Sequence, residues 1–127
     1  MAAKTSQPAG DADKTALTHV ENTLDPIIFP DSRVLLLGSM PSPKSREIGF
    51  YFGNPQNRFW RVVAALYGEK PLKSISEKID FCKRHHLALC DVLKACDIKG
   101  ASDASIANPI PHNIGALIQE SSICAIF

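Results

Sequence analysis

Two polar clusters in the chain combine residue types that can bind and position a ligand. The first, Gly38 to Ser42, interrupts an apolar run that starts at Val34. The second, Asn57 and Arg58, follows a loop rich in Gly and Pro and opens an apolar helical pattern. Small residues let a ligand approach the backbone, and an Asn amide can orient water or hydrogen-bond the edge of a planar ligand. Two such clusters on one rim would make a binding site.

The elements around these clusters indicate how they could converge. Residues 34–37 form a short apolar run without charge, typical of a strand buried on both faces of a parallel sheet. Gly38 and Ser39 then fall at the carboxyl end of that strand, where open α/β sheets bind ligands. Residues 57–67 carry apolar side chains at helical spacing and stop at Gly68, so they predict a helix that packs on the sheet.

The remainder of the chain predicts further elements of the same kind. Ser74 and Glu77 have the spacing of a capping box, so a helix should start there and run toward His86. Residues 87–93 suggest a second short strand, with a loop as the alternative. Residues 112–120 suit a helix and residues 122–127 a third strand, inside which the sequence stops. Residues 1–24 carry no apolar period and are expected to be a flexible tail before a domain of residues 25–127.

Composition narrows the class of protein without identifying a ligand. The 14 Lys and Arg against 13 Asp and Glu leave no strong bulk charge to attract nucleic acid. Four cysteines lack the close paired spacing of a zinc or iron-sulfur site, which favours reduced and mostly buried thiols. We therefore expect no metal and no cofactor. Neither a signal peptide nor a membrane span is visible, and cytoplasmic residence is the default expectation.

Residues 38–42 (GSMPS) and 50–60 (FYFGNPQNRFW) together resemble the uracil-DNA glycosylase superfamily, and look most like its hypoxanthine (deoxyinosine) glycosylase branch. The resemblance extends from about residue 31 to residue 127 and includes LCDVL at 89–93 and KGASDASI at 99–106. It implies an α/β fold, a three-layer α/β/α sandwich with a mainly parallel central sheet. Because that superfamily continues beyond the third strand, it also implies an incomplete domain whose last strand and helices are missing.

The resemblance implies a monofunctional DNA glycosylase of base excision repair. Such an enzyme flips a deaminated base out of the DNA and hydrolyses its N-glycosidic bond, the base being hypoxanthine, or else uracil or xanthine. One alternative is a truncated, non-catalytic remnant that binds DNA or a partner. Another is a nucleotide-binding domain that uses the Gly38 loop for phosphate. The second alternative is disfavoured because a phosphate loop usually has more glycines or a following Lys-Ser/Thr pair.

The resemblance also suggests roles for individual residues. Met40 stands where many relatives carry a carboxylate or an Asn that positions water, so Asn57 becomes the catalytic candidate. Phe52 matches the aromatic residue that stacks on the extruded base, with Phe50 and Tyr51 as neighbouring candidates. The alternatives are a helix N-cap for Asn57 and core packing for the aromatic residues. Base binding would involve Ser39, Met40 and Phe52; DNA contacts would involve Ser42, Lys44 and Arg58; and Asp103 is a weaker pocket candidate or else a turn residue.

Overall fold

Two sheets of three strands each form the framework of residues 17–127, the part of the chain that the computed structural model describes. The elements, in chain order, are β1 (Thr18–Glu21), β2 (Val34–Gly38), α1 (Pro43–Ile48), α2 (Phe59–Leu66), α3 (Ile75–Arg84), β3 (Leu87–Asp91), β4 (Leu93–Ile98), a 3-10 turn (Asp103–Ser105), β5 (Ala107–Pro111), α4 (Ile114–Gln119) and β6 (Ala125–Ile126).

The central sheet is parallel, as the sequence predicts. Strand β2 lies in its middle and pairs in parallel with β3 on one side and with β6 on the other. The third strand is shorter than expected, since only Ala125–Ile126 of residues 122–127 form it. The carboxyl ends of β2 and β3 are level with each other, because Gly38 lies opposite Asp91 in the register.

Helices cover both faces of the parallel sheet, which confirms the predicted three-layer arrangement. On one face, α2 and α3 pack through Trp60, Val63 and Phe81 onto Leu87 and Leu89. Helix α4 covers the opposite face of the sheet. Side chains of β2 and β3 that alternate along each strand with those facing α2 and α3 point toward α4. That second contact joins Ile114 and Leu117 to Leu35, Ala88 and Cys90.

The second sheet is antiparallel, has the order β1-β4-β5, and was not expected from the sequence. Residues 87–93 do not form one strand, because the chain leaves the parallel sheet at Val92 and continues as β4. Residues 18–21 correct the prediction of a tail up to residue 24, since they pair with β4 and Val20 packs against its apolar side. The first 16 residues of the predicted tail lie outside the described residues.

Local signals fix several helix ends. The predicted capping box is confirmed: Ser74 Oγ accepts from the Glu77 backbone N–H at 3.0 Å, and Glu77 Oε1 accepts from the Ser74 N–H at 3.2 Å. Helix α1, which was not predicted, starts after the N-cap Ser42 and has Pro43 in its first turn. No helix within residues 17–127 is long and apolar enough to cross a membrane.

Candidate functional site at the carboxyl ends of the parallel strands

A cavity of about 500 Å³ opens at the carboxyl ends of β2 and β3. Its position agrees with the rule that open α/β sheets bind ligands outside the carboxyl ends of their strands. The structure brings several predicted residues together in its lining, namely Ser39, Met40, Ser42, Phe52, Asn57, Tyr51 and Asp103. It does not bring Lys44 or Arg58 into this lining.

The loop after β2 is held by backbone bonds. The N–H groups of Val92 and Leu93 donate to the carbonyls of Gly38 and Ser39 at 2.8 and 3.0 Å. Arg46 Nη1 donates to the Pro41 carbonyl at 2.9 Å from within α1. A loop tied to both β4 and α1 presents a fixed surface to the cavity.

Two of the predicted loop residues have structural roles as well as a place in the lining. Ser42 Oγ accepts from the Ser45 N–H and donates to Ser45 Oγ, each at 3.1 Å, so it caps α1. Met40 is only 8% exposed and packs with Leu93 and Cys96, so it forms an apolar wall. A thioether in that position cannot hold a water by strong hydrogen bonds.

Phe52 combines a strained backbone with a preset ring. Its φ angle is +52°, a left-handed value that bulky residues rarely adopt and that is found at functional sites. Its ring stacks on Phe59 with a centroid distance of 4.0 Å and an interplanar angle of 23°. The core-packing alternative describes Phe50 and Tyr51 better, because both are buried, whereas Phe52 is half-buried and lines the cavity.

Asn57 uses one end of its amide to start helix α2. Its Oδ1 accepts from the Phe59 N–H at 2.8 Å, although the N-cap position itself belongs to Arg58, whose side chain makes no cap bond. The capping alternative therefore holds in a form shifted by one residue. Within residues 17–127, Asn57 Nδ2 donates to no other group, so this end of the amide is available to a ligand.

The two cationic candidates lie outside the cavity. Lys44 is exposed and reaches Glu47 at 3.5 Å within α1. Arg58 lines an apolar groove beside α2 together with Val62 and Leu66. Their assignment to DNA contacts stays a prediction.

Asp91 is the functional candidate that the sequence reasoning missed. It is the last residue of β3, only 4% exposed, and lines the cavity beside Gly38. Its Oδ2 accepts from Asn22 Nδ2 at 3.1 Å. Burial raises the pKa of the Asp91 carboxyl, while the hydrogen bond from Asn22 and the nearby His112 oppose that rise. The signal in the sequence is a carboxylate directly after the apolar residues 87–90, but the prediction of one strand over residues 87–93 places Asp91 inside that strand.

A different groove, lined by Glu69, Asp80 and Arg84, shares no residue with the cavity. The charged side chains of this groove form ion pairs with one another, since Arg84 donates to both carboxylate oxygens of Glu69 at 2.8 and 2.9 Å. Hydrogen bonds from Arg84 and then His85 lower the pKa of Glu69 to about 2. Among residues 17–127, no group of three His, Cys, Asp or Glu side chains could hold a metal ion. The strand-end cavity is therefore the better functional candidate.

A parallel sheet between helix layers, with a polar cavity and an aromatic face at its strand ends, defines an α/β domain with a candidate ligand site at the position typical of this class. Comparison with known proteins makes this class more specific. The chain is 36% identical over 83 residues to the hypoxanthine DNA glycosylase of Methanosarcina barkeri (64% of this chain, 52% of the relative). It is 35% identical over 83 residues to the hypoxanthine DNA glycosylase of Methanosarcina acetivorans (65% and 52%).

A solved structure agrees with these relatives. The solution NMR structure of a candidate uracil DNA glycosylase from Methanosarcina acetivorans matches 81% of this chain and 65% of its own, with a TM-score of 0.72 and 28% identity. No protein-family model matches the chain. The predicted resemblance to the uracil-DNA glycosylase superfamily, hypoxanthine branch, is confirmed, and so is the predicted fold. The chain spans about half the length of the curated relatives it matches.

Proposed function

We propose that this chain carries the base pocket of a DNA glycosylase that hydrolyses the N-glycosidic bond of a deaminated base in DNA. Hypoxanthine is the first candidate, with uracil and xanthine next. The observation that carries the proposal is the meeting of an aromatic face, Phe52, and an available amide, Asn57, in one strand-end cavity. The similarity to proteins named hypoxanthine DNA glycosylase supports it.

The cavity has the properties that an extruded base requires. Its volume of about 500 Å³ is within the range of small-ligand sites, about 300–1,000 Å³. A flipped base loses its stacking in the duplex, and the ring of Phe52 can replace part of it. Because Phe59 already holds that ring in place, little side-chain entropy is lost when a base stacks on it.

Asn57 can assist bond cleavage through its Nδ2 group. Cleavage of a glycosidic bond builds positive charge on the sugar and negative charge on the departing base. Since Oδ1 of Asn57 is occupied by the Phe59 N–H, its Nδ2 is the group left to donate a hydrogen bond to an acceptor on that base or to the attacking water. A neutral amide is a weak base, so stabilisation of the leaving group would dominate and turnover would be slow.

The remaining assignments complete the proposal. Ser39 and Met40 would form the loop wall against the base, while Ser42, Lys44 and Arg58 would contact the DNA backbone. Contacts to phosphate position a protein on DNA without reading the base. Ser42 lines the cavity, whereas Lys44 and Arg58 lie outside it and would meet the DNA backbone that flanks the flipped nucleotide.

A single-turnover assay tests the proposal. Purified protein is mixed with duplexes that carry hypoxanthine, uracil or xanthine, and abasic sites are revealed with alkali. We expect release of hypoxanthine, and a loss of about 100-fold or more in Asn57→Ala, the scale seen when one preorganised donor is removed. Asn54→Ala is a matched control, because Asn54 Oδ1 also accepts a backbone N–H two residues on, from Gln56 at 3.0 Å, outside the strand-end cavity.

The outcomes separate the alternatives. An equal loss in both variants would assign Asn57 to loop folding and remove it from the chemistry. No release on any substrate by folded protein would refute the proposed activity for this chain. Tight binding to the same duplexes without release would favour the non-catalytic remnant.

A further inference from the structure

A second cavity, of about 450 Å³, adjoins the strand-end cavity at Phe52 and Asn57, which line both. Three cationic side chains line it: Arg61 from α2, Lys73 from the segment before α3, and Lys78 from α3 itself. Among residues 17–127, no Asp or Glu belongs to its lining. We call it the cationic cavity. Positive charges gathered in a concave surface attract anions.

Carboxylates within residues 17–127 do not pair with these three cations. None of the three is in an ion pair there, whereas Arg84 in the neighbouring groove is paired with Glu69. The carboxylate of Glu77, the residue before Lys78, is occupied by the cap of α3 and accepts from the Lys73 backbone N–H at 2.6 Å. The charged ends of the three side chains therefore remain for a ligand.

The ammonium group of Lys78 is held in a defined place. Its Nζ lies 5.6 Å from the centroid of the Trp60 ring, within the range of a cation–π contact. Trp60 is itself fixed, because it is 5% exposed and its indole N–H donates to the Tyr51 carbonyl at 2.8 Å. A ring face is a weak hydrogen-bond acceptor, so the ammonium keeps N–H donors for an anion.

The neighbouring base pocket indicates which anion the cationic cavity binds. When a nucleotide flips, its base enters the pocket while the phosphates on either side of it stay in the strand. A DNA strand carries one negative charge per nucleotide, about every 3.4 Å along the helix axis. Cations in a cavity that shares Phe52 and Asn57 with the base pocket are therefore placed to meet the strand next to the flipped nucleotide.

We propose that Arg61, Lys73 and Lys78 form a phosphate-binding site that holds the DNA strand beside the flipped nucleotide. This inference rests on the proposed function, because it assigns the strand to which the extruded base belongs. The site positions the strand and adds no base preference, since contacts to phosphate do not read the base. It is separate from Lys44 and Arg58, which line neither cavity.

The salt dependence of binding to an undamaged duplex tests the site without any need for base release. Each lost phosphate contact reduces the slope of log K against log salt concentration by about 1. We expect this reduction and weaker binding in Lys73→Gln and in Lys78→Gln. The triple variant that adds Arg61→Gln should lose about 2–3 in slope. Gln removes the charge and keeps part of the aliphatic stem.

Lys83→Gln is the matched control. Lys83 is an exposed lysine of the same helix and lines neither cavity, so this variant should keep the wild-type slope. Thermal melting checks that each variant is folded. A second measurement compares melting in inorganic phosphate and in chloride at equal ionic strength, for wild type and for the triple variant. Phosphate stabilises proteins in general, so only a difference between the two proteins reports on the site.

An unchanged slope in the folded triple variant would overturn the inference. If inorganic phosphate then stabilises wild type more than the triple variant, the cavity binds free phosphate and not DNA. An equal reduction in Lys83→Gln would also overturn it, because the effect would come from overall charge.

The same measurements keep this inference distinct from the proposed function. Reduced slopes in a protein that releases no base would support the phosphate site and refute the activity. Base release with unchanged slopes would do the reverse. No binding of duplex by wild type at low salt would overturn both.

Discussion

Gly38 and Asp91 are in close contact in the lining of the cavity. They end two adjacent parallel strands, and the absence of a side chain on one gives room to the carboxylate of the other. Neither residue would be informative alone. Together they place a carboxylate, with no side chain from position 38 in front of it, in the lining of the cavity.

Substitution of Gly38 by Ala should therefore disturb Asp91. The new methyl group overlaps Oδ1, and the carboxylate has little freedom to move because it is buried and bonded to Asn22. We expect a loss of about 1–3 kcal/mol in the free energy of unfolding, as for other overpacked sites. Urea unfolding measures the loss.

Gly115→Ala is the matched control for that prediction. A Cβ at Gly115 meets only Asn113 Oδ1 at 3.7 Å, an ordinary contact, and the position is inside helix α4. This variant should be as stable as wild type or slightly more stable, since Ala favours a helix over Gly. A Gly38→Ala protein with the stability of Gly115→Ala would contradict the role given to Gly38.

Among the elements, α3 is the one whose start is specified most locally. Its capping box satisfies backbone donors through the side chains of two residues, Ser74 and Glu77. Ser74→Ala should cost about 1 kcal/mol, within the 0.5–2 kcal/mol range of lost N-caps. The exposed Ser76, two residues later, provides Ser76→Ala as the control, which should change the urea midpoint much less. Equal effects in the two variants would mean that the cap contributes little.

The elements also show which parts of the fold the sequence could predict. Strand β2 and helices α2 and α3 each carry their own apolar pattern or cap, so they were recognised locally. Strands β1 and β5 are short and mostly exposed, and β5 contains Pro109 and Pro111, so neither has a pattern of its own. They exist because both pair with β4, and pairing between distant segments is not visible in local periodicity.

The residues of the candidate site also divide into some that the sequence could predict and one that it could not. Ser39, Phe52 and Asn57 were expected to converge because the resemblance and the strand-end rule both indicate it. Asp91 was missed because residues 87–93 read as one strand, in which position 91 is interior. Its place at a strand end depends on the change of sheet at Val92, which only the pairing of β4 with β1 and β5 reveals.

Across the whole molecule, three apolar clusters stabilise the described fold, and each contains one cysteine. Cys82 lies between the parallel sheet and helices α2 and α3, Cys96 lies in the antiparallel sheet, and Cys90 lies beside α4. Cys124 is exposed. Burial raises the pKa of Cys82 to about 12 and that of Cys90 to about 11, which suppresses their reactive thiolate forms.

A thiol titration should therefore report on all three clusters. In native protein we expect one fast-reacting thiol, Cys124, and three that react only on unfolding. Cys124→Ser should abolish the fast reaction and leave the slow ones unchanged. Two or more fast thiols in the native protein would show that at least one of these clusters is open to solvent.

Val92 alone separates β3 from β4, so a single residue joins the two sheets. Its N–H donates to Gly38, and its carbonyl accepts from the N–H of His112, whose ring contacts the Asp91 carbonyl at 2.8 Å. Val92 therefore couples the position of β4 to the cavity lining at Gly38 and Asp91. A substitution in the antiparallel sheet that tilts β4 would shift this part of the lining without changing any residue that forms it.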